Sequence, residues 1–253
     1  MRHSASAFLV AAGLTCAAVA AAAVAQDDMV PIPAGSYVPF YTRESVRKPQ
    51  TATPVSAFAL DRAPVTNAQF LAFVQRHPEW SRSRVPALFA DRHYLQDWAA
   101  DFRLADARAG ERPVTDVSWF AAQAYCRAQG KSLPTTDQWE FALYDNGRNA
   151  KAVREQILAW YATPSAANLP AVSKLPINGY GVSGLVGAVW EWTLDFNSMM
   201  AGSDLRGNGT RFCGGASLGA SDPTDYAGFM RYSLRASLKA SYTTENLGFR
   251  CAL

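Results

Sequence analysis

Val189-Trp190-Glu191-Trp192-Thr193-Leu194-Asp195 sets one carboxylate between two indoles in an otherwise apolar run. A glutamate held among rings is either desolvated or committed to a positive partner. Two readings fit the residue types equally. In one, Glu191 is a ligand to a hard cation; in the other, it sits in an aromatic core layer and pairs with an arginine. Just upstream, Gly179-Tyr180-Gly181-Val182-Ser183-Gly184 has the glycine spacing of a dinucleotide loop. That chemistry needs a buried strand before the glycines and a helix after them. Pro176-Ile177-Asn178 precedes them and Gly187 falls inside the would-be helix, so the stretch reads as a chain of turns.

Working outward, regular elements are marked by their caps. Thr66-Asn67-Ala68-Gln69 forms a capping box, with Phe70, Phe73 and Val74 following at helical spacing and Val65 placed to staple onto Phe70. A second helix starts at Ser118 and stops at Gly130. A third opens on the capping box Thr135-Thr136-Asp137-Gln138 and carries Trp139, Phe141 and Ala142. Met29-Val-Pro-Ile-Pro-Ala-Gly-Ser-Tyr37 reads as an edge strand broken by prolines. Residues 41–53 read as a polar loop, and residues 55–61 as one half-buried strand. The stretch 76–112, rich in Trp, Arg and Asp, reads as an irregular excursion over the core. Beyond Asn168 periodicity fades into turns. No repeat or low-complexity linker divides the chain.

The composition narrows the function classes. Lys+Arg of 24 against Asp+Glu of 21 gives a net charge of +3, too mild a balance for a nucleic-acid surface. Three histidines exclude a His-rich metal cage. His77 and His93, with Glu79, Asp91 and Asp97 nearby, lack the usual ligand spacing of a two-His-one-carboxylate site and read as surface residues. At the N-terminus, Arg2 and His3 precede an alanine-rich apolar run, and Ala23-Val24-Ala25 has the form of a signal-peptidase site. The reading is a signal peptide over residues 1–25, one domain over 26–253, and a periplasmic or secreted product with no stable membrane insertion after cleavage. Cys126, Cys213 and Cys251 then remain in an oxidising compartment. Three is an odd number, and arithmetic alone does not choose the pair.

An ordered set of strings resembles the formylglycine-generating enzymes, or sulfatase-modifying factor domains. The strings are Pro64-Val-Thr-Asn-Ala-Gln-Phe70, Arg112-Pro-Val-Thr-Asp-Val-Ser-Trp119 and Ala124-Tyr-Cys126. Gly130-Lys-Ser-Leu-Pro-Thr-Thr-Asp-Gln-Trp-Glu-Phe141, Asn178-Gly-Tyr-Gly-Val-Ser-Gly-Leu-Val-Gly187 and the Trp-Glu-Trp run continue it. Gly214-Gly215 and Asn246-Leu-Gly-Phe-Arg-Cys-Ala252 close it. The resemblance covers nearly all of the chain after the signal. It implies an α+β fold with a C-type-lectin-related core, little regular secondary structure and long loops.

The resemblance also implies site residues. In the family, cysteines at the positions of Cys126 and Cys251 pair, which would leave Cys213 as the free thiol. Gly187 and Val189 would offer backbone carbonyls and Glu191 its carboxylate to calcium. Gly184 stands where a side-chain oxygen is expected, so the expectation is a weak or empty site. The formylglycine-forming members use oxygen, copper and two cysteines shortly after the Gly-Gly turn. Residues 214–231 here contain no cysteine, and serine does not replace a thiolate as a soft ligand, so the ligand count supports neither copper nor iron. The substrate groove of the family runs beside this segment, which makes Asp222, Asp225, Tyr226 and Arg231 the candidate binding surface. Arg231 and Arg235 have a structural alternative, pairing with Glu191 or Asp195. The functional expectation is an exported accessory or binding protein for an exported protein or peptide partner. The alternative is a metal- and oxygen-dependent periplasmic oxidoreductase acting on such a substrate.

Overall fold

A computed structural model of the chain describes residues 28–40, 52–145, 150–162, 169–197 and 225–253. Four strands form two antiparallel pairs near the N-terminus. Strand β1 (Met29–Ile32) pairs with β4 (Phe58–Asp61), and β2 (Gly35–Tyr37) pairs with β3 (Thr53–Val55). The proline-broken first strand is thus two strands. The run at 55–61 is also divided, because Val55 belongs to β3 and Phe58 to β4. Thr53 belongs to a strand rather than to the loop expected there.

The helix caps behave as their residue types dictate. In α1 (Asn67–Arg76) the Gln69 amide donates to Thr66 Oγ1 at 3.2 Å, and the Thr66 amide donates to Gln69 Oε1 at 2.8 Å. Ser118 caps α2 (Trp119–Ala128), whose chain reverses at Gly130 with a φ of 72°. Thr135 and Gln138 close the same reciprocal box on α3 (Thr136–Leu143). Phe70 and Phe73 of α1 pack on Tyr125 of α2 and, with Leu133, Trp192 and Phe249, make the larger apolar core. The other core gathers Val30, Ile32 and Leu60 with Trp139, Phe141 and Leu143.

Two helices went unread in the sequence. One is α4 (Ala150–Tyr161), which buries Val153 and Ile157, four residues apart. The other is α5 (Tyr226–Ser237), which corrects the expectation of turns alone beyond Asn168. Its buried positions include Ala227, Gly228, Arg231 and Ala236, a face without large apolar groups. A pattern search weighted to hydrophobic residues passes over such a face. Its cap was visible: Asp225 accepts from the Gly228 amide at 2.9 Å. The position needs glycine, because a Cβ at 228 would sit 2.7 Å from both Asp225 Oδ2 and Phe40 Cδ2.

The last eight residues bind these parts together. Strand β5 (Trp190–Glu191) lies parallel to β6 (Leu247–Gly248). The Val65 amide donates to the Phe249 carbonyl, Asp61 to that of Cys251, and Ser132 to that of Ala252, each at 2.9 Å. Cys251 forms a disulfide with Cys126 of α2, both sulfurs fully buried. Closing a loop of this size stabilises by about 4–5 kcal/mol in the chain-entropy account. Among the described residues no helix is long and apolar enough to cross a membrane.

Arg250, between these contacts, is fully buried and donates through Nη2 and Nε to the two oxygens of Glu191 at 2.7 and 2.8 Å. Removing one partner of such a pair strands the other charge in the core. Arg250→Met is therefore expected to cost about 3–5 kcal/mol, read as a lowered urea midpoint. The double variant Glu191→Leu/Arg250→Met should recover part of that loss, since no charge is then left alone.

Candidate functional site

A cleft of about 610 Å³ opens between the α4 terminus and the irregular excursion. One wall is aromatic. Trp160 and Tyr161 from α4 each lie 5.1 Å, centroid to centroid, from Trp190 of β5, with 5.7 Å between them. Facing them are Asn67, Asp97, Trp98, Arg112 and Glu245, while Met230 of α5 and Gly187 also line the space. Asn67 is held in place as the first residue of α1. Its Oδ1 accepts from Trp98 Nε1 at 2.9 Å, and its Nδ2 donates to the carbonyls of Ala109 and Pro113. Arg112 faces Asp106 at 3.8 Å, which leaves Asp97 and Glu245 to make that rim acidic. Clustered rings beside polar groups suit an organic or peptide ligand.

Behind the wall, both oxygens of Glu191 are taken by protein donors. Its Oε1 accepts from Arg250, and its Oε2 accepts from Arg250 and from Trp139 Nε1 at 2.7 Å. Gly184, where the resemblance expects an oxygen donor, has a φ of 70°, and a Cβ there would meet Leu175 Cδ1 at 2.5 Å. Val189 is buried. The residues present fit an arginine at Glu191 and not a calcium ion. Among the described residues no group of three His, Cys, Asp or Glu side chains is placed to hold a metal.

A second buried charge network lies one residue along α3. Glu140 accepts from Arg231 Nε at 3.0 and 3.1 Å and from Arg235 Nη1 at 2.5 Å. Arg231 Nη2 donates to Tyr144 Oη at 2.8 Å, and Tyr144 donates to Asp225 at 3.1 Å. Burial works against the Glu140 charge, but the two guanidiniums outweigh it and hold the carboxyl at about 2. Arg235 also lies 4.9 Å over the Trp139 ring, so α3 touches both networks through adjacent residues.

The candidate surface is therefore only partly a surface. Arg231 is 2 % exposed and Asp225 is 5 % exposed. Ion pairing and helix capping draw both inward, which corrects their assignment as exposed binding groups. The partner of Arg231 and Arg235 is Glu140, not Glu191 or Asp195; Asp195 instead accepts from the Thr136 amide at 2.7 Å. Tyr226 stays 57 % exposed beside Phe229. Asp222 and Cys213 lie outside the described residues, as does the expected signal segment. Trp160, Tyr161, Asn67 and Glu245 were missed as site residues. Trp160-Tyr161 at the end of an amphipathic run was the available signal.

Residues 16–253 match the sulfatase-modifying factor enzyme 1-like domain, and the chain belongs to that family. It is 28% identical over 258 residues to the inactive C-alpha-formylglycine-generating enzyme 2 of Mus musculus, covering 81% of this chain and 77% of that protein. It is 26% identical over 302 residues to the formylglycine-generating enzyme of Mycobacterium tuberculosis, covering 88% and 97%. PvdO from Pseudomonas aeruginosa shares the fold at a TM-score of 0.52 and 18% identity, over 88% of this chain and 93% of that one.

Asp116 yields a test of the acidic rim. It is 1 % exposed and has a φ of 54°; its Oδ1 accepts from Gln96 while its Oδ2 has no partner. Burial first, then the charges of Asp97 and Glu245, push its carboxyl up to about 7, with Gln96 and His93 opposing. A raised carboxyl contributes stability at low pH that is lost as pH rises from about 4 through 7. Asp116→Asn, which tolerates the left-handed backbone, should therefore raise Tm at pH 8 by a few degrees and leave it unchanged near pH 4. Melting curves at the two values check this.

Proposed function

We propose that this chain is an exported accessory protein that binds a protein or peptide partner in the aromatic cleft and works without thiol-dependent formylglycine chemistry. One observation carries the reading. Cys126 and Cys251 are locked together in the core, and residues 214–231 supply no cysteine, so the paired thiols of the formylglycine-forming members have no counterpart. The residues fit no copper centre of that kind, and no step is derived through one. The cleft itself keeps an aromatic wall and a polar face, which is what a binding role requires. Similarity to a relative named inactive supports the same reading. Export rests on the Ala23-Val24-Ala25 site and on the buried disulfide, which persists in an oxidising compartment.

The test uses the full chain expressed with its N-terminal segment and recovered from its native compartment. N-terminal sequencing should begin at Gln26. With a sulfatase-derived cysteine peptide under oxygen, with and without added copper, cysteine oxidation should stay at the level of the protein-free control. Cys213→Ser should not alter partner binding. Copper-dependent conversion of the peptide that Cys213→Ser abolishes would replace this reading with the oxidoreductase one.

A further inference from the structure

The charge network behind the cleft is incompletely satisfied. Arg231 uses Nε and Nη2 on Glu140 and Tyr144, but its Nη1 is buried without a partner. Tyr161 Oη is likewise buried without a partner. The Tyr161 ring lines the cleft and stacks on Trp190, while the charges that act on its hydroxyl are those of Arg231, Glu140, Arg235 and Asp225. Helix α4, which carries Tyr161, packs against α5, which carries Arg231. Met230, next to Arg231 on α5, lines the same cleft.

Arg231 and Arg235 share the one carboxylate of Glu140, and Arg154 lies 3.7 Å from Asp225. A buried donor left unpaired costs roughly 1–3 kcal/mol, more when charged. Natural cores rarely keep one without a reason. Here the two orphaned groups, a guanidinium nitrogen and a phenol, both donate to an acceptor oxygen.

We propose that Arg231 Nη1 and Tyr161 Oη form a recess that receives a carboxylate of the ligand bound in the aromatic cleft, entering beside Met230. Two donors match the two oxygens of a carboxylate. A phosphate or sulfate group would bring further oxygens for which these two groups supply no donor. The inference deepens the binding reading given above and rests on it: the partner presents a carboxylate, either a chain terminus or an acidic side chain.

Calorimetric titration of the full chain with three probes tests this. Acetyl-Gly-Phe acid carries a terminal carboxylate, acetyl-Glu-Phe amide a side-chain one, and acetyl-Gln-Phe amide neither. At least one acid should bind about tenfold more tightly than the neutral peptide, and which acid does so identifies the source. Arg231→Ala is liable to unfold the core, so Tyr161→Phe is the decisive variant. It keeps the ring on Trp190 and removes only the hydroxyl. The acid preference should fall several-fold while Tm does not fall. Equal binding of all three probes, no binding by any, an acid preference unchanged in Tyr161→Phe, or tighter binding of inorganic phosphate would each overturn the recess. A chain that captures its partner yet shows no acid preference loses the recess alone. A chain that prefers the acid but oxidises the cysteine peptide keeps the recess and loses the accessory reading.

Discussion

The pairing of Arg250 with Glu191 is the contact on which the rest of the structure depends. Strands β5 and β6 are two residues long, too short to fix their own register by backbone bonds. The guanidinium does so instead. It spans from both oxygens of Glu191 to the carbonyls of Asp61, Arg62 and Ser183. One side chain thereby joins β4, the glycine turns, β5 and the terminal segment. Burying two charges is costly, and a well-packed apolar pair of the same volume would serve stability as well or better. What the pair adds is geometry: a fork with five donors accepts one arrangement of acceptors.

Long loops are tolerable around such a hub because loop length costs little once the ends are fixed. Each doubling adds only about 0.6 kcal/mol of closure entropy. The disulfide at Cys251 and the bonds from Val65, Asp61 and Ser132 fix those ends within eight residues of the C-terminus. The excursion between α1 and α2 can then be given to recognition. Its side chains supply one face of the cleft, and Asn67 ties it back to α1 through the Trp98 indole.

How much of this was legible follows from what each contact depends on. The capping boxes at Thr66 and Thr135 and the reversal at Gly130 are local, decided within four residues, and the sequence displays them. The importance of Glu191 was legible too, but its partner was not. An ion and an arginine 59 residues away satisfy a carboxylate equally well in one dimension. The same holds for Arg231, whose acceptor Glu140 lies 91 residues upstream. Helix α5 was lost for another reason, because it buries an arginine and small residues where a pattern expects leucine. The cleft itself is assembled from α4, β5 and the excursion, segments with no spacing relation to one another.

Adjacent positions on α3 connect the hub to the site. Trp139 donates to Glu191, and Arg235 lies over its ring; Glu140 holds Arg231 and Arg235. One helical step thus couples the structural ion pair to the charges behind the aromatic wall. Because α3 is capped by its own box and by Asp195, these side chains are set before any ligand arrives. Preorganisation of this kind lowers the ordering cost of binding. On the proposed recess, the cleft has an acidic rim at Asp97 and Glu245 and a carboxylate-receiving end beside Met230. A bound ligand would then be oriented by charge as well as by shape, which is how a rigid site discriminates among ligands of similar bulk.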